Sequence, residues 1–197
     1  LFACDYNASE FFQGDFMNRF FALLLMIGLC AWISSAGNLM SATPAPTLMV
    51  DAKKVPIKMN FKISLTGISD PGKLFATYSS RPLVLFYFAP KNQQSQASYS
   101  AVQKLIKEFE PMGLTSLAIS VGEVTRKDIL GFMNQNNASI DFAQDVRREF
   151  NTSYGTGSLP VIYLVYANGT FIRYTESNDT ALKQLRDELQ KIFPKKK

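Results

Sequence analysis

Apolar and polar residues alternate strictly over residues 57–66. Ile57, Met59, Phe61, Ile63 and Leu65 interleave with Lys58, Asn60, Lys62, Ser64 and Thr66. A period of two puts alternate side chains on one face of an extended chain, so residues 57–66 are expected to form a half-buried strand. Asp70-Pro71-Gly72 is a turn sequence, and residues 73–79 are expected to return as a short second strand, closing a hairpin. Residues 83–88 (LVLFYF) are apolar at every position and follow Pro82. A short apolar run bounded by a breaker predicts a central strand covered on both faces.

Beyond that run the period changes. Val102, Leu105, Ile106 and Phe109 recur at helical spacing and stop at Pro111. Residues 114–121 predict the next strand. Thr125 with Asp128 three positions on is a helix-start signature, and Ile129, Phe132 and Met133 supply the apolar stripe. Asp145 predicts the cap of another helix, one that carries Val146, Phe150 and Tyr154. Residues 161–166 and 170–175 read as strands joined by Asn168-Gly169, a strong two-residue hairpin sequence. Asn178 or Asp179 caps a last helix with Leu182, Leu185, Leu189 and Ile192 on one face, and Pro194 ends it. The order is hairpin, β, α, β, α, α, β, β, α, which predicts an α/β domain with parallel pairing and an antiparallel edge.

The N-terminal region has a different pattern. Residues 20–33 are continuously apolar, Arg19 precedes them, and Ser34-Ser35-Ala36 follows. A positive start, a short apolar run and a small-residue exit describe a secretory signal peptide with cleavage after Ala36. As a helix this run rises about 21 Å, short of the ~30 Å hydrocarbon core, so a retained membrane anchor is the alternative. Met17 is the natural start of the signal. The acidic residues 1–16 read as a spurious or disordered extension. The expected organisation is therefore 1–16 extension, 17–36 signal or anchor, 37–54 linker, 55–194 folded domain and 195–197 basic tail.

Composition narrows the chemistry. The chain is 47% hydrophobic and 19% charged, enough for a real core in one domain. The net charge of +5 is spread along the chain apart from Lys195-Lys196-Lys197, so no nucleic-acid partner is expected. The sequence has no histidine. That excludes histidine general acid–base chemistry, Ser-His-Asp and Cys-His nucleophiles, and histidine-ligated metals. The two cysteines, Cys4 and Cys30, both precede the expected cleavage point. Phe86, Tyr87, Phe88, Phe132 and Tyr163 sit at strand and helix spacing and are read as core rather than as a ligand pocket. Sequons at Asn7, Asn137, Asn151, Asn168 and Asn178 are read as chance matches in polar loops, with Asn168 explained by its turn.

Three segments together carry a family resemblance. They are Pro82-Leu83-Val84-Leu85-Phe86-Tyr87-Phe88-Ala89, then Tyr154-Gly155-Thr156-Gly157-Ser158-Leu159-Pro160, then the hairpin around Asn168-Gly169. In order and spacing, residues 57–193 resemble the thioredoxin-like superfamily, and within it the TlpA/ResA-like exported thiol–disulfide oxidoreductases. The resemblance implies a thioredoxin-like fold: a central mixed sheet flanked by helices, with an N-terminal β-hairpin. It also implies a cis-proline at Leu159-Pro160, whose loop either pairs its backbone with an extended peptide or is a purely structural turn.

The chain departs from the family at the reactive positions. On a gapless match Lys91 stands where the family has tryptophan, Asn92 at the nucleophilic cysteine and Ser95 at the resolving cysteine. Asn92 has no ionisable group, and Ser95 has no histidine to activate it. Ser95 is read instead as the N-cap of the helix that follows. No catalytic residue, metal site or cofactor is expected. The expected function is an exported binding or scaffold module with a protein or peptide partner, periplasmic or secreted. Its surface comprises Lys91, Asn92, Gln93, Gln94 and Ser95 beside Leu159 and Pro160. Membrane association would run through residues 20–33. The alternative is a thiol–disulfide enzyme whose thiols come from a partner.

Overall fold

A computed structural model describes residues 57–155, 158–175 and 177–194, together with the backbone of 47–48. The expectations for residues 1–46, for the linker around 47–48 and for the basic tail fall outside these residues. So do Cys4, Cys30 and Asn7.

Among the described residues, seven strands form one sheet in the order β1-β7-β6-β3-β4-β5-β2. They are β1 (Thr47–Leu48), β2 (Thr66–Gly67), β3 (Leu83–Phe88), β4 (Thr115–Val121), β5 (Asp141–Asp145), β6 (Val161–Val165) and β7 (Phe171–Tyr174). Among the described residues four α-helices accompany them: α1 (Gln93–Phe109), α2 (Arg126–Gln135), α3 (Glu149–Tyr154) and α4 (Asp179–Ile192). The apolar run at β3 takes the centre, as its composition requires. It pairs in parallel with β4 (Leu85 opposite Leu117) and antiparallel with β6 (Leu85 opposite Tyr163). This is the expected α/β class, a mixed sheet flanked by helices.

The core is divided by the sheet. On one face Phe86 and Phe88 pack with Tyr99 of α1, Phe132 of α2, Phe142 of β5 and Leu185 of α4. On the other, Tyr87, Tyr163 and Phe171 pack around Phe150 of α3, together with Met59 and Ile63. The aromatics expected in the core, Phe86, Tyr87, Phe88, Phe132 and Tyr163, are all buried.

The N-terminal hairpin does not form. Residues 57–65 make one bridge, Lys58 to Thr170, and run as an irregular strap. Asn60 interrupts the strand, because its Oδ1 accepts the Lys62 amide at 3.0 Å and its carbonyl accepts the Ile63 amide at 3.3 Å. Such a local turn competes with ladder bonding. The alternation still governs burial, with Met59 and Ile63 inside and Lys58, Asn60, Lys62 and Ser64 outside. The Asp70-Pro71-Gly72 turn does form, with Asp70 Oδ1 accepting the Gly72 amide at 3.0 Å. The expected return strand is instead a 3₁₀ turn, Phe75–Tyr78, and β2 pairs antiparallel with β5.

Strand β5 is absent from the expected order. Its sequence, DFAQD, has polar ends and no period to betray it. Each polar side chain is paired. Lys73 Nζ and the Tyr78 hydroxyl donate to Asp141 at 2.5 and 2.7 Å, and Gln144 Nε2 donates to the Val124 carbonyl at 2.6 Å. Asp145 accepts the amides of Phe150 at 3.1 Å and Asn151 at 2.8 Å. Asp145 thus ends a strand and caps α3 from a distance, rather than opening a helix itself. The turn between them uses Arg148 at φ 56°, and Val146 stands 53% exposed instead of facing the core.

The other helix starts are local. Thr125 and Asp128 form the reciprocal capping box on α2, and Asn178 Oδ1 accepts the Ala181 amide at 2.9 Å on α4. In the β6–β7 turn Asn168 Oδ1 accepts the Thr170 amide at 3.0 Å while Gly169 takes φ 87°.

Candidate functional site

Strands β3, β4 and β5 run parallel, so the loops after them emerge at one end of the sheet. In open α/β sheets that carboxyl end is where ligands bind. Strand β6 runs the other way and pairs Val161 with Tyr87. One step further along this register Pro160 comes opposite Phe88, the last residue of β3 before the loop into α1. The Leu159–Pro160 peptide is cis.

The loop from β3 into α1 is cross-braced. The Asn92 amide donates to the Ala89 carbonyl at 3.0 Å, and the Gln96 amide donates to the Asn92 carbonyl at 3.1 Å. Asn92 Oδ1 accepts the Ser95 amide at 2.8 Å. Gln96 Nε2 reaches the Pro90 carbonyl at 2.9 Å. Asn92, with extended backbone (φ −80°, ψ 123°), is therefore the N-cap of α1.

Ser95 is not the cap. It lies in the first turn of the helix, is 0% exposed, and its Oγ accepts the Ala89 amide at 3.4 Å. A buried hydroxyl accepting an amide bond cannot be reached by a partner, so Ser95 supports the loop and does not belong to the binding surface. What remains exposed is Lys91, Gln93, Gln94 and Gln96, with Asn92 and Leu159 half-buried and Pro160 buried.

The electrostatics at this end of the sheet are self-compensated. Lys91 Nζ lies 3.2 Å from Asp128 Oδ2 on α2. Hydrogen bonds from Thr125 and then from Lys91 hold the Asp128 carboxyl below its ordinary range. Arg148 pairs with Glu123, and Arg147 lies 3.8 Å from Glu149. The first turn of α1 contains no acidic residue. The positive end of its dipole therefore faces out with neutral amides around it.

Chemically, the arrangement can donate and accept hydrogen bonds. Neither Asn92 nor Ser95 carries a thiol. Among the described residues no group of three His, Cys, Asp or Glu could hold a metal ion, and no helix is long and apolar enough to cross a membrane. Sequence reasoning placed Asp145 at a helix cap but missed the strand it ends, and it missed the Lys91–Asp128 contact. The Thr125-x-x-Asp128 box was readable, but its reach to Lys91 depends on the placement of α2 against the α1 loop.

No protein-family model matches the chain. No curated protein matches it. Solved structures do. A secreted Mycobacterium tuberculosis disulfide oxidoreductase homologous to Escherichia coli DsbE shares 16% identity at a TM-score of 0.57, over 66% of this chain and 96% of that one. The dsbF protein of the same organism (MTB) shares 14% at 0.58, over 72% and 99%. A secreted thiol-disulfide isomerase from Corynebacterium glutamicum shares 12% at 0.56, over 74% and 94%. The chain thus has the thioredoxin-like fold in the form found in DsbE- and DsbF-like thiol–disulfide proteins. At these identities the likeness establishes the fold, and the reactive positions have to be read from this chain's own residues.

Proposed function

We propose that this chain is an exported, thioredoxin-fold binding module that holds an extended protein or peptide segment at the α1 N-terminus without redox chemistry there. The observation that carries this reading is the Asn92–Ser95 pairing. Both residues are committed to building the loop, which leaves a rigid platform with nothing reactive on it. Lys91, Asn92, Gln93 and Gln94 present hydrogen-bonding groups, and Leu159–Pro160 supplies the adjoining backbone. Preorganisation of this kind lowers the ordering cost of binding. Export is supported by the signal-like residues 17–36 and by the secreted proteins that share the fold.

The paired charges add a property. With Lys91, Arg147 and Arg148 each facing an acidic group, attraction of a charged partner is weak, and recognition rests on neutral hydrogen bonds and shape. Affinity should therefore change little with salt. The test is capture of partners from the exported fraction by the full chain. NMR of the purified chain with a captured partner then follows the amides of 91–96 and of Leu159. Shifts confined to these positions support the reading, and shifts on another face overturn it. Reduction of insulin above background would overturn the non-redox half independently.

A further inference from the structure

We infer that Tyr154 is a positioning residue for the Leu159–Pro160 surface, because it ties the strap of residues 57–65 to the segment that carries that surface. The inference rests on the binding role proposed above. Tyr154 is the last residue of α3, and Leu159 and Pro160 follow it a few positions on in the sequence. Its hydroxyl accepts the Asn60 amide at 2.6 Å and donates to the Lys58 carbonyl at 3.3 Å. Its carbonyl accepts the Tyr163 hydroxyl at 2.6 Å. Its ring packs against Phe150 and Phe171, with centroids 5.2 and 5.5 Å away. One residue thereby joins the strap, α3, β6 and β7.

The strap also holds the other end of the helix, where the Ser64 amide donates to Glu149 Oε2 at 3.0 Å. A helix of six residues cannot persist alone in water, so these restraints decide where it sits. Asp145 fixes its first turn from inside the fold, and the strap fixes both ends from outside. The exit is tight as well. A Cβ on Gly155 would lie 2.3 Å from Asn151 Oδ1 and 2.4 Å from the Asn151 carbonyl oxygen, so only glycine leaves the helix on this path. With the start of the connection set by Tyr154 and its end by the β6 register, the backbone at Leu159 is held where an extended segment could pair with it. Releasing the strap loosens the first of these two anchors.

The experiment is amide hydrogen exchange on the full chain with Tyr154→Phe, which keeps the ring and removes both strap contacts of the hydroxyl. The expected result is faster exchange at 58–60 together with Gly155, Ser158 and Leu159, by about fivefold to tenfold, in line with the net strength of one such contact. Faster exchange at 58–60 with Gly155, Ser158 and Leu159 unchanged overturns the inference. Tyr166→Phe serves as the control. If it accelerates exchange at Gly155, Ser158 and Leu159 equally, the effect is general destabilisation and the inference is overturned. Should Tyr154→Phe fail to fold, Glu149→Ala releases Ser64 from the far end of α3 and is read at the same amides. Faster exchange at Gly155, Ser158 and Leu159 then supports the inference, and unchanged exchange there overturns it. Exchange needs no partner, so it separates this inference from the binding role, which the partner NMR decides.

Discussion

Asn92 Oδ1 accepts the Ser95 backbone amide at 2.8 Å, across the first turn of α1. Asn92 is thereby the cap of α1, and Ser95 is a buried brace for Ala89. Capping sets the backbone of the loop: an extended residue followed by a helical turn.

The cap has a measurable worth. Asn92→Ala should lower unfolding stability by about 1 kcal/mol, within the usual range for loss of a polar N-cap. Asn92→Asp should preserve or slightly raise it, because a carboxylate suits the positive end of the helix. Chemical denaturation of the two variants decides the point. Equal stability of Asn92→Ala and the parent would mean that the bond contributes nothing.

The same backbone argument predicts that a reactive pair of thiols can be built at these positions. The double variant Asn92→Cys with Ser95→Cys places two thiols three residues apart over a helical N-terminus. There a disulfide can close and the first thiol is acidified. We expect the pair to form a disulfide in air, and Cys at position 92 to react with an alkylating agent at a lower pH than the ordinary thiol value of about 8.5. Mass spectrometry and the pH dependence of alkylation measure both. Two free thiols of ordinary reactivity would show that the loop does not hold a dithiol geometry.

Much of this architecture was legible because its signals are local. The apolar run at β3, the Thr125–Asp128 box and the Asn168–Gly169 turn each act within a few residues. What was not legible depends on distant partners. Strand β5 hides behind Asp141, Gln144 and Asp145, whose partners include Lys73, Val124 and Phe150. The alternation at 57–65 reported burial correctly and strand pairing wrongly, since Asn60 turns the chain while Met59 and Ile63 still face the core. At the site, the loop positions were readable and the roles of Asn92 and Ser95 were not. A cap and the third residue after it differ only in which backbone angles the fold imposes.

Asp145 is fully buried, and its carboxylate is occupied by the amides of Phe150 and Asn151. Asp145→Ala should cost about 2 kcal/mol or more, because two amides lose a charged acceptor inside the fold. The local consequence should exceed the global one. α3 has no side-chain cap of its own, since Arg148 stands at its N-cap without a capping bond. Hydrogen exchange should show α3 opening before the sheet does. A variant as stable as the parent in denaturant would contradict the capping role.

Alkaline pH should destabilise the fold through its tyrosines. Burial pushes the phenols of Tyr78, Tyr87, Tyr99, Tyr154, Tyr163 and Tyr174 above the ordinary value of 10.0. Burial and the neighbouring Glu188 raise Tyr166 to about 12. A raised folded-state value means that, as pH passes 10, the unfolded chain releases phenolic protons while the native chain keeps them. The unfolded state then binds fewer protons, so stability falls as pH rises. The contribution is fully present below pH 10, and that of Tyr166 is lost progressively toward pH 12. Denaturation midpoints measured across this window should decline, and Tyr166→Phe should decline less steeply than the parent. Phenolate absorbance should lag behind that of the unfolded chain over the same range. A midpoint that stays flat from pH 10 to 12 would show that the phenols titrate in the folded protein as they do in water.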